Sequence, residues 1–216
     1  NAVTSSVSGG TVSIDSSPSI SAQVASSAMQ TQQVLSMSVS NTAIGNNNTA
    51  VGQNDSNTGG SQNIAIGFYA GGHSSASQTN AIMIGMQTAD AGAGPTNSIV
   101  IGHGAFGSAT GHAQYITAVG QDAMKGSAST TTGINGAVAI GHKSLYSITS
   151  GGGNTAIGYE AGYSLTSGAA NTIIGYRSAR AATDSVGAAV TLGYEAMYSN
   201  TDSTGNVAIG YFALRQ

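Results

Sequence analysis

Asn154-Thr-Ala-Ile-Gly158-Tyr-Glu-Ala161 is followed 17 residues later by Asn171-Thr-Ile-Ile-Gly175-Tyr-Arg-Ser178, and the same phrase returns as Val190-Thr-Leu-Gly193-Tyr-Glu-Ala196 and Val207-Ala-Ile-Gly210-Tyr-Phe-Ala213. A short apolar run ends in Gly, two variable residues follow, and then a small one. The motif glycine falls at Gly45, Gly52, Gly67, Gly85, Gly102, Gly120, Gly141, Gly158, Gly175, Gly193 and Gly210, and from Gly67 the steps are 18, 17, 18, 21, 17, 17, 18 and 17. This period is too short for tetratricopeptide or ankyrin units and lacks the Leu signature of a leucine-rich repeat. It suits one turn of a β-solenoid or β-roll carrying two short strands, so the expected fold class is all-β, repetitive and parallel. Gly45 and Gly52, only 7 apart, are read as two sides of one incomplete coil.

Positions within a coil are counted here from the motif glycine. Position −1 is Ile, Val or Leu throughout, position −3 is Thr, Ile or Val, and the residue between them is most often Ala, as at Ala139, Ala156 and Ala208. Strand side chains alternate faces, and β-branched residues favour strands. The expectation is therefore an inward branched pair with a small residue facing out. The glycine then allows a bend or a positive φ. A second short strand is expected after it, with Ala, Ser or Thr at +3 (Ala70, Thr88, Ala105, Ala123, Ser144, Ala161, Ser178, Ala196, Ala213), before a Ser/Thr/Gly/Asn loop.

The composition excludes several classes of protein. Charged residues are 6% of 216, Gly numbers 32, Pro 2, and Cys and Trp are absent, against about 25% charged in ordinary domains. No apolar run approaches the ~18 residues of a bilayer-spanning helix, so an uncharged polar surface is expected and membrane insertion is not. With a net charge of −3 and with Lys125, Lys143, Arg177, Arg180 and Arg215 forming no long basic cluster, nucleic acid is not an expected partner. The lack of Cys fits an exported protein that does not use disulfides. The start at Asn1, with no charged n-region or apolar h-region, gives the expectation of a processed product whose targeting signal has been removed.

Two regions are expected. Residues 1–40 are Ser-rich, lack a motif glycine and read as an extended or loosely structured connector, with a short helix over about 21–36 as the alternative. Residues 41–216 read as one β-roll repeat domain of about ten coils of 17–18 residues. Coils spaced ~4.8 Å apart would make a rod of roughly 50 Å. Its core is thin: burial at ~25 cal/mol per Å² returns little against the roughly 1–2 kcal/mol per residue of backbone ordering. Small residues repeated on an outward face would let several chains pack side by side.

The strings Asn154-Thr-Ala-Ile-Gly158, Asn63-Ile-Ala-Ile-Gly67 and Asn206-Val-Ala-Ile-Gly210 resemble the head repeat of trimeric autotransporter adhesins (YadA-like heads). Similar strings occur in bacteriophage tail fibres and in the fibres of predatory bacteria. The resemblance covers about 41–213 and departs in coil length, which implies larger loops here. It implies a left-handed parallel β-roll, three chains side by side, displayed outside the cell on a bacterial surface or on a virion tail fibre. It implies adhesion but carries over no ligand.

Chemistry-bearing residues are few. Among the acids Asp15, Asp55, Asp90, Asp122, Glu160, Asp184, Glu195 and Asp202, Glu160 and Glu195 share one coil position with Arg177 between them. That arrangement reads as a stacked charge ladder, normally of small value, ahead of a glycosidase pair. Of His73, His103, His112 and His142, His103 and His142 share position +1. A ring of them in a trimer could hold a metal or an anion, but solvent-facing or loop histidines are the plainer reading. Gly102-His-Gly-Ala-Phe-Gly107 matches G-x-G-x-x-G without the strand–helix context of a dinucleotide site. Asn47-Asn-Thr49 and Asn54-Asp-Ser56 are sequons only in a eukaryotic host. No catalytic residue, metal or cofactor is expected.

The candidate ligand-binding residues are aromatic. Tyr159, Tyr176, Tyr194 and Tyr211 follow the motif glycine directly, Phe68 holds the same place earlier, and Tyr146, Tyr163 and Tyr198 recur at +5. They read either as a structural stack or as a stripe binding a glycan or a protein on a target-cell surface, Tyr having an apolar face and a polar tip. The long step after Gly120 inserts a Ser/Thr loop at 127–133, a second candidate. The expected function is a non-enzymatic, homotrimeric adhesive fibre. The alternatives are a purely structural shaft or, third, a monomeric lattice-binding solenoid. That last reading is disfavoured because Thr occupies −3 only at Thr42, Thr49, Thr117, Thr155 and Thr172, positions expected to face inward.

Overall fold

The computed structural model describes residues 62–72, 78–90, 94–108, 111–126, 133–183, 187–200 and 204–215, together with the strand backbone at 11–14, 20–23, 42–43, 49–51 and 56–57. The chain is all-β, and its repeats form a parallel β-solenoid. In chain order the strands are β1 (Thr11–Ile14), β2 (Ile20–Gln23), β3 (Thr42–Ala43), β4 (Thr49–Val51), β5 (Ser56–Asn57), β6 (Ile64–Ile66) and β7 (Thr79–Ile84). They continue as β8 (Thr96–Ile101), β9 (Thr117–Val119), β10 (Val138–Ile140), β11 (Thr155–Ile157), β12 (Thr172–Ile174), β13 (Val190–Leu192) and β14 (Val207–Ile209). Strands β4 and β6 to β14 make one ten-stranded parallel sheet in coil order. Its register pairs like with like: Val138 with Thr155, Ala139 with Ala156, and Ile140 with Ile157.

Outside that sheet, β1 and β2 pair antiparallel, and β3 pairs with β5. Because 21–23 are strand, the helix considered for 21–36 fails at its first residues; the remainder of that span lies outside the described residues. So do Gly45, Gly52, His73, the first two residues of each sequon and residues 127–132.

The strand faces are the reverse of the expectation. Ala65, Met83, Val100, Ala118, Ala139, Ala156, Ile173 and Ala208 at −2 are buried, and the branched residues at −3 and −1 point outward. The pattern is exposed–buried–exposed in β6, β13 and β14. Alternation alone assigns two residues to one face and the third to the other without saying which face is inside. The room available decides it. At −2 each of β6 to β14 turns one side chain inward, most often Ala but also Met83, Val100 and Ile173, while the interior fills further with Phe106, Met124, Leu145 and Met197 at +4 and with Ile116, Ile134, Ile148 and Leu165.

The glycine is indispensable to the stacking. Gly67 to Gly193 have φ of 130–141°, and a Cβ on Gly158 would lie 2.4 Å from the Gly175 carbonyl oxygen, on Gly175 2.3 Å from that of Gly193. No second strand follows it among the described residues. The chain instead makes a turn in which +2 and +4 both have positive φ, as at Glu160 (52°) and Arg177 (52°), or Met124 (49°) and Leu145 (48°). Hydrogen bonds to both neighbouring coils hold it: Glu160 N–H donates to His142 O (2.9 Å), and Leu145 N–H donates to Ala161 O (3.0 Å).

A buried asparagine ladder closes the corner before the strand. Asn154 Oδ1 accepts from Asn171 N–H (2.9 Å), and Asn171 Oδ1 accepts from Ala189 N–H (3.0 Å). Asn154 Nδ2 donates to Gly168 O (2.7 Å). Asn63 does the same one end further, accepting from Ala81 N–H (2.9 Å). A buried amide is stable only when its partners are supplied, and here the next coil supplies them.

Candidate functional site

The seven candidate tyrosines lie in two columns, not one stripe. In the first, at +1, His142, Tyr159, Tyr176, Tyr194 and Tyr211 stack with ring centroids 5.1, 5.2, 5.0 and 5.4 Å apart. These tyrosines are exposed, the last one most. Offset stacking at such distances adds about 0.5–1.5 kcal/mol per pair beyond area burial.

The second column, at +5, mixes cations with aromatics, running Lys125, Tyr146, Tyr163, Arg180, Tyr198 and Arg215. Tyr146 stacks on Tyr163 at 5.0 Å. The Arg180 guanidinium then lies 5.1 Å from the Tyr163 ring and 5.9 Å from the Tyr198 ring, and Arg215 caps Tyr198 at 5.5 Å. Lys125 approaches Tyr146 at 5.9 Å from the opposite end. The cation members of this column were missed when only the Tyr positions were aligned; reading +5 as a column of all residue types finds them.

Between the two columns runs the charge ladder at +2, with Asp122, Lys143, Glu160, Arg177 and Glu195 in successive coils. Glu160 and Glu195 are buried. Arg177 Nε lies 3.2 Å from Glu160 and its Nη1 3.9 Å from Glu195; Arg180 also binds Glu160, and Arg215 binds Glu195 at 3.0 Å. This is more than the surface pairing expected: each carboxylate is walled in by two guanidiniums. Burial pushes the Glu160 carboxyl up, but the hydrogen bond and charge of Arg180, with Arg177, outweigh it and leave the group below the usual carboxylate range. The hydrogen bond to Asp122 (2.9 Å) raises the Lys125 ammonium against the opposing effect of burial. All five Lys and Arg of the chain sit at +2 or +5, in the ladder or the second column.

The two carboxylates once weighed as a glycosidase pair are thus both ion-paired. His103 and His142 occupy coils separated by that of Gln121, and His142 is part of the tyrosine stack. Among the described residues no three His, Cys, Asp or Glu cluster as metal ligands, and no helix is long and apolar enough to cross a membrane.

The opposite feature is the outer strand face. Residues at −3 and −1 form two columns, including Ile64, Ile66, Ile99, Ile140, Val190 and Leu192, all exposed. Over nine coils from Gly67 to Gly210 this is a strip of roughly 40 Å by 10 Å, on the order of 400 Å². Thr117, Thr155 and Thr172 lie in it, so they face out rather than in. Fold and surface define a β-solenoid repeat protein with one paired face and one uncovered apolar face. Comparison of the chain with protein-family models, with curated proteins and with solved structures finds no match.

Proposed function

We propose that this chain is a segment of a non-enzymatic adhesive fibre, a homotrimer of left-handed β-rolls that attaches to a glycan or protein on a target-cell surface. The fibre would be carried outside the cell, on a bacterium or as a phage tail fibre. The observation that carries the reading is the uncovered strip of branched side chains. Apolar patches of about 300–600 Å² are the largest on ordinary monomers and are often functional. A strip of constant pitch along the whole rod fits a second copy of the same rod better than any irregular partner. Three copies joined heterologously close a ring, and the resemblance of the repeat to trimeric adhesin heads points to three. Such an assembly repeats each weak surface contact, which raises avidity.

Light scattering after gel filtration tests the assembly: three times 21.1 kDa is expected, and a folded monomer would overturn it. Attachment of the labelled trimer to target cells tests adhesion. A second reading, a rigid shaft whose binding tip lies elsewhere, is favoured by the pairing of the turn face, where the tyrosines and charges already satisfy one another. Replacing Tyr159, Tyr176, Tyr194 and Tyr211 with Ser separates the two uses of that column. Unchanged attachment would make it structural.

A further inference from the structure

Gly102-His-Gly-Ala-Phe-Gly107 is the one described coil with glycine at both +2 and +5. Every other described coil carries a side chain at one or both positions. Backbone conformation does not demand Gly104: Gln87, Asp122 and Lys143 hold the same place with φ of 54°, 55° and 54°. A Cβ on Gly104 would meet the end of one side chain, Asp122 Oδ1 at 2.7 Å; on Gly107 it would meet backbone, Gly104 O at 2.9 Å and Gln87 O at 3.1 Å. The two columns that run along the turn face are therefore interrupted here, and the interruption borders a cavity of about 210 Å³. Gly104 and Gly107 line it together with Gln87 and Asp90 from the coil before and Lys125 from the coil after, and His103 and Ser108 complete the lining.

The residues lining this notch include Gln, Asp, His, Ser and Lys, so donors and acceptors are both present. The notch carries charge of both signs, Asp90 and, at the Gly104 end, Asp122 against Lys125, so an ionic ligand of either sign meets a like charge as well as an opposite one. A neutral ligand with several hydroxyls suffers neither penalty. The volume is below the about 300–1,000 Å³ of drug-sized sites, which suits one sugar ring. We propose that the notch at Gly104 and Gly107 binds a single neutral pyranose at the end of a surface glycan. This rests on the adhesive reading and moves the specific contact away from the tyrosine column. One notch per chain would give a trimer three weak sites acting together.

The test uses the full chain on an array of neutral glucose-, galactose- and mannose-terminated oligosaccharides beside sialylated and sulfated ones, with attachment to cells measured in parallel. Gly104→Asn fills the notch with a residue that tolerates positive φ, and Asp90→Asn removes the carboxylate. The expected result is binding to neutral termini, lowered at least tenfold by each variant and unchanged in Tyr176→Ser. If Gly104→Asn does not fold by thermal melting, Asp90→Asn alone decides. Binding to acidic termini only, to no array sugar, or equally by wild type and both variants overturns the notch. Should wild type still attach to cells in those cases, adhesion stands without it. Binding to the array without attachment to any cell would overturn the adhesive reading and keep the notch.

Discussion

The strand face and the turn face of each coil are opposites in both backbone and side chains. Apart from Asn80 and Asn97 near the starts of β7 and β8 (φ of 54° and 51°), strands β6 to β14 have no non-glycine residue at positive φ, and their outward side chains at −3 and −1 stand partly or largely exposed. The turn face holds non-glycine residues at positive φ in coil after coil, among them Tyr69, Asp122, Glu160 and Met197. A left-handed conformation costs such residues roughly 1–2 kcal/mol each, and from the Gly141 coil onward most long side chains there have a stacking or ionic partner in a neighbouring coil. The strained wall spends its side chains on holding itself together. The relaxed wall has side chains to spare for another molecule. The glycine at the corner belongs to both.

That corner is where the comparison breaks most sharply. Gly158→Ala should cost about 4 kcal/mol or more, because its Cβ meets the Gly175 carbonyl at 2.4 Å and no flexible atom can yield. Gly210→Ala, with nothing within 4 Å and only its φ of 124° to strain it, should cost about 1–3 kcal/mol. Urea melts of the two variants measure the difference.

On the strand face, Ile157→Asp should leave the solenoid fold in place and split the assembly to a 21.1 kDa species by light scattering. Ala156→Leu, one residue earlier but inside, should leave the assembly state unchanged while losing about 1–3 kcal/mol by overpacking. If both act on stability alone, the strip does not mediate assembly.

On the turn face, Arg180→Ala removes a partner of buried Glu160 and the cation between Tyr163 and Tyr198. Because the guanidinium is partly solvated, a loss of about 1–2 kcal/mol in a denaturant melt is expected. Tyr176→Ser, which interrupts the stack between Tyr159 and Tyr194, should cost about 1 kcal/mol by the same melt. The smallest effect is with acid. The Glu160 carboxyl is depressed in the fold, so its contribution is complete above its ordinary value of 4.5 and fades as pH falls below that. Melting temperature should drop on acidification below about pH 4.5 in the wild type and drop less in Glu160→Gln.

Much of the fold was legible in the chain. Near-regular spacing of Gly67 through Gly210 announces coils, branched residues on either side of a small one announce a strand, and Glu160–Arg177–Glu195 at one position announces a ladder. In the +5 column only the tyrosines are legible, because Tyr mixed with Lys and Arg has no period in any single residue type. The Asn of the repeat was visible in Asn154 and Asn171, but its partners are backbone groups one coil away, and those have no sequence signature.

By itself the sequence determined the repeat, its length, the all-β class and the identity of the column members, because each depends on residue type at fixed spacing. Tertiary structure alone decided which side of the strand is inside. A period of two is symmetric under exchange of faces, and only the packing of the coil interior, occupied by residues such as Phe106 and Leu145 from other parts of the turn, puts Ala156 in and Ile157 out. It likewise decided that the segment after the glycine is a turn, since the need to stack each carbonyl on the next coil outweighs the strand preference of the local residues.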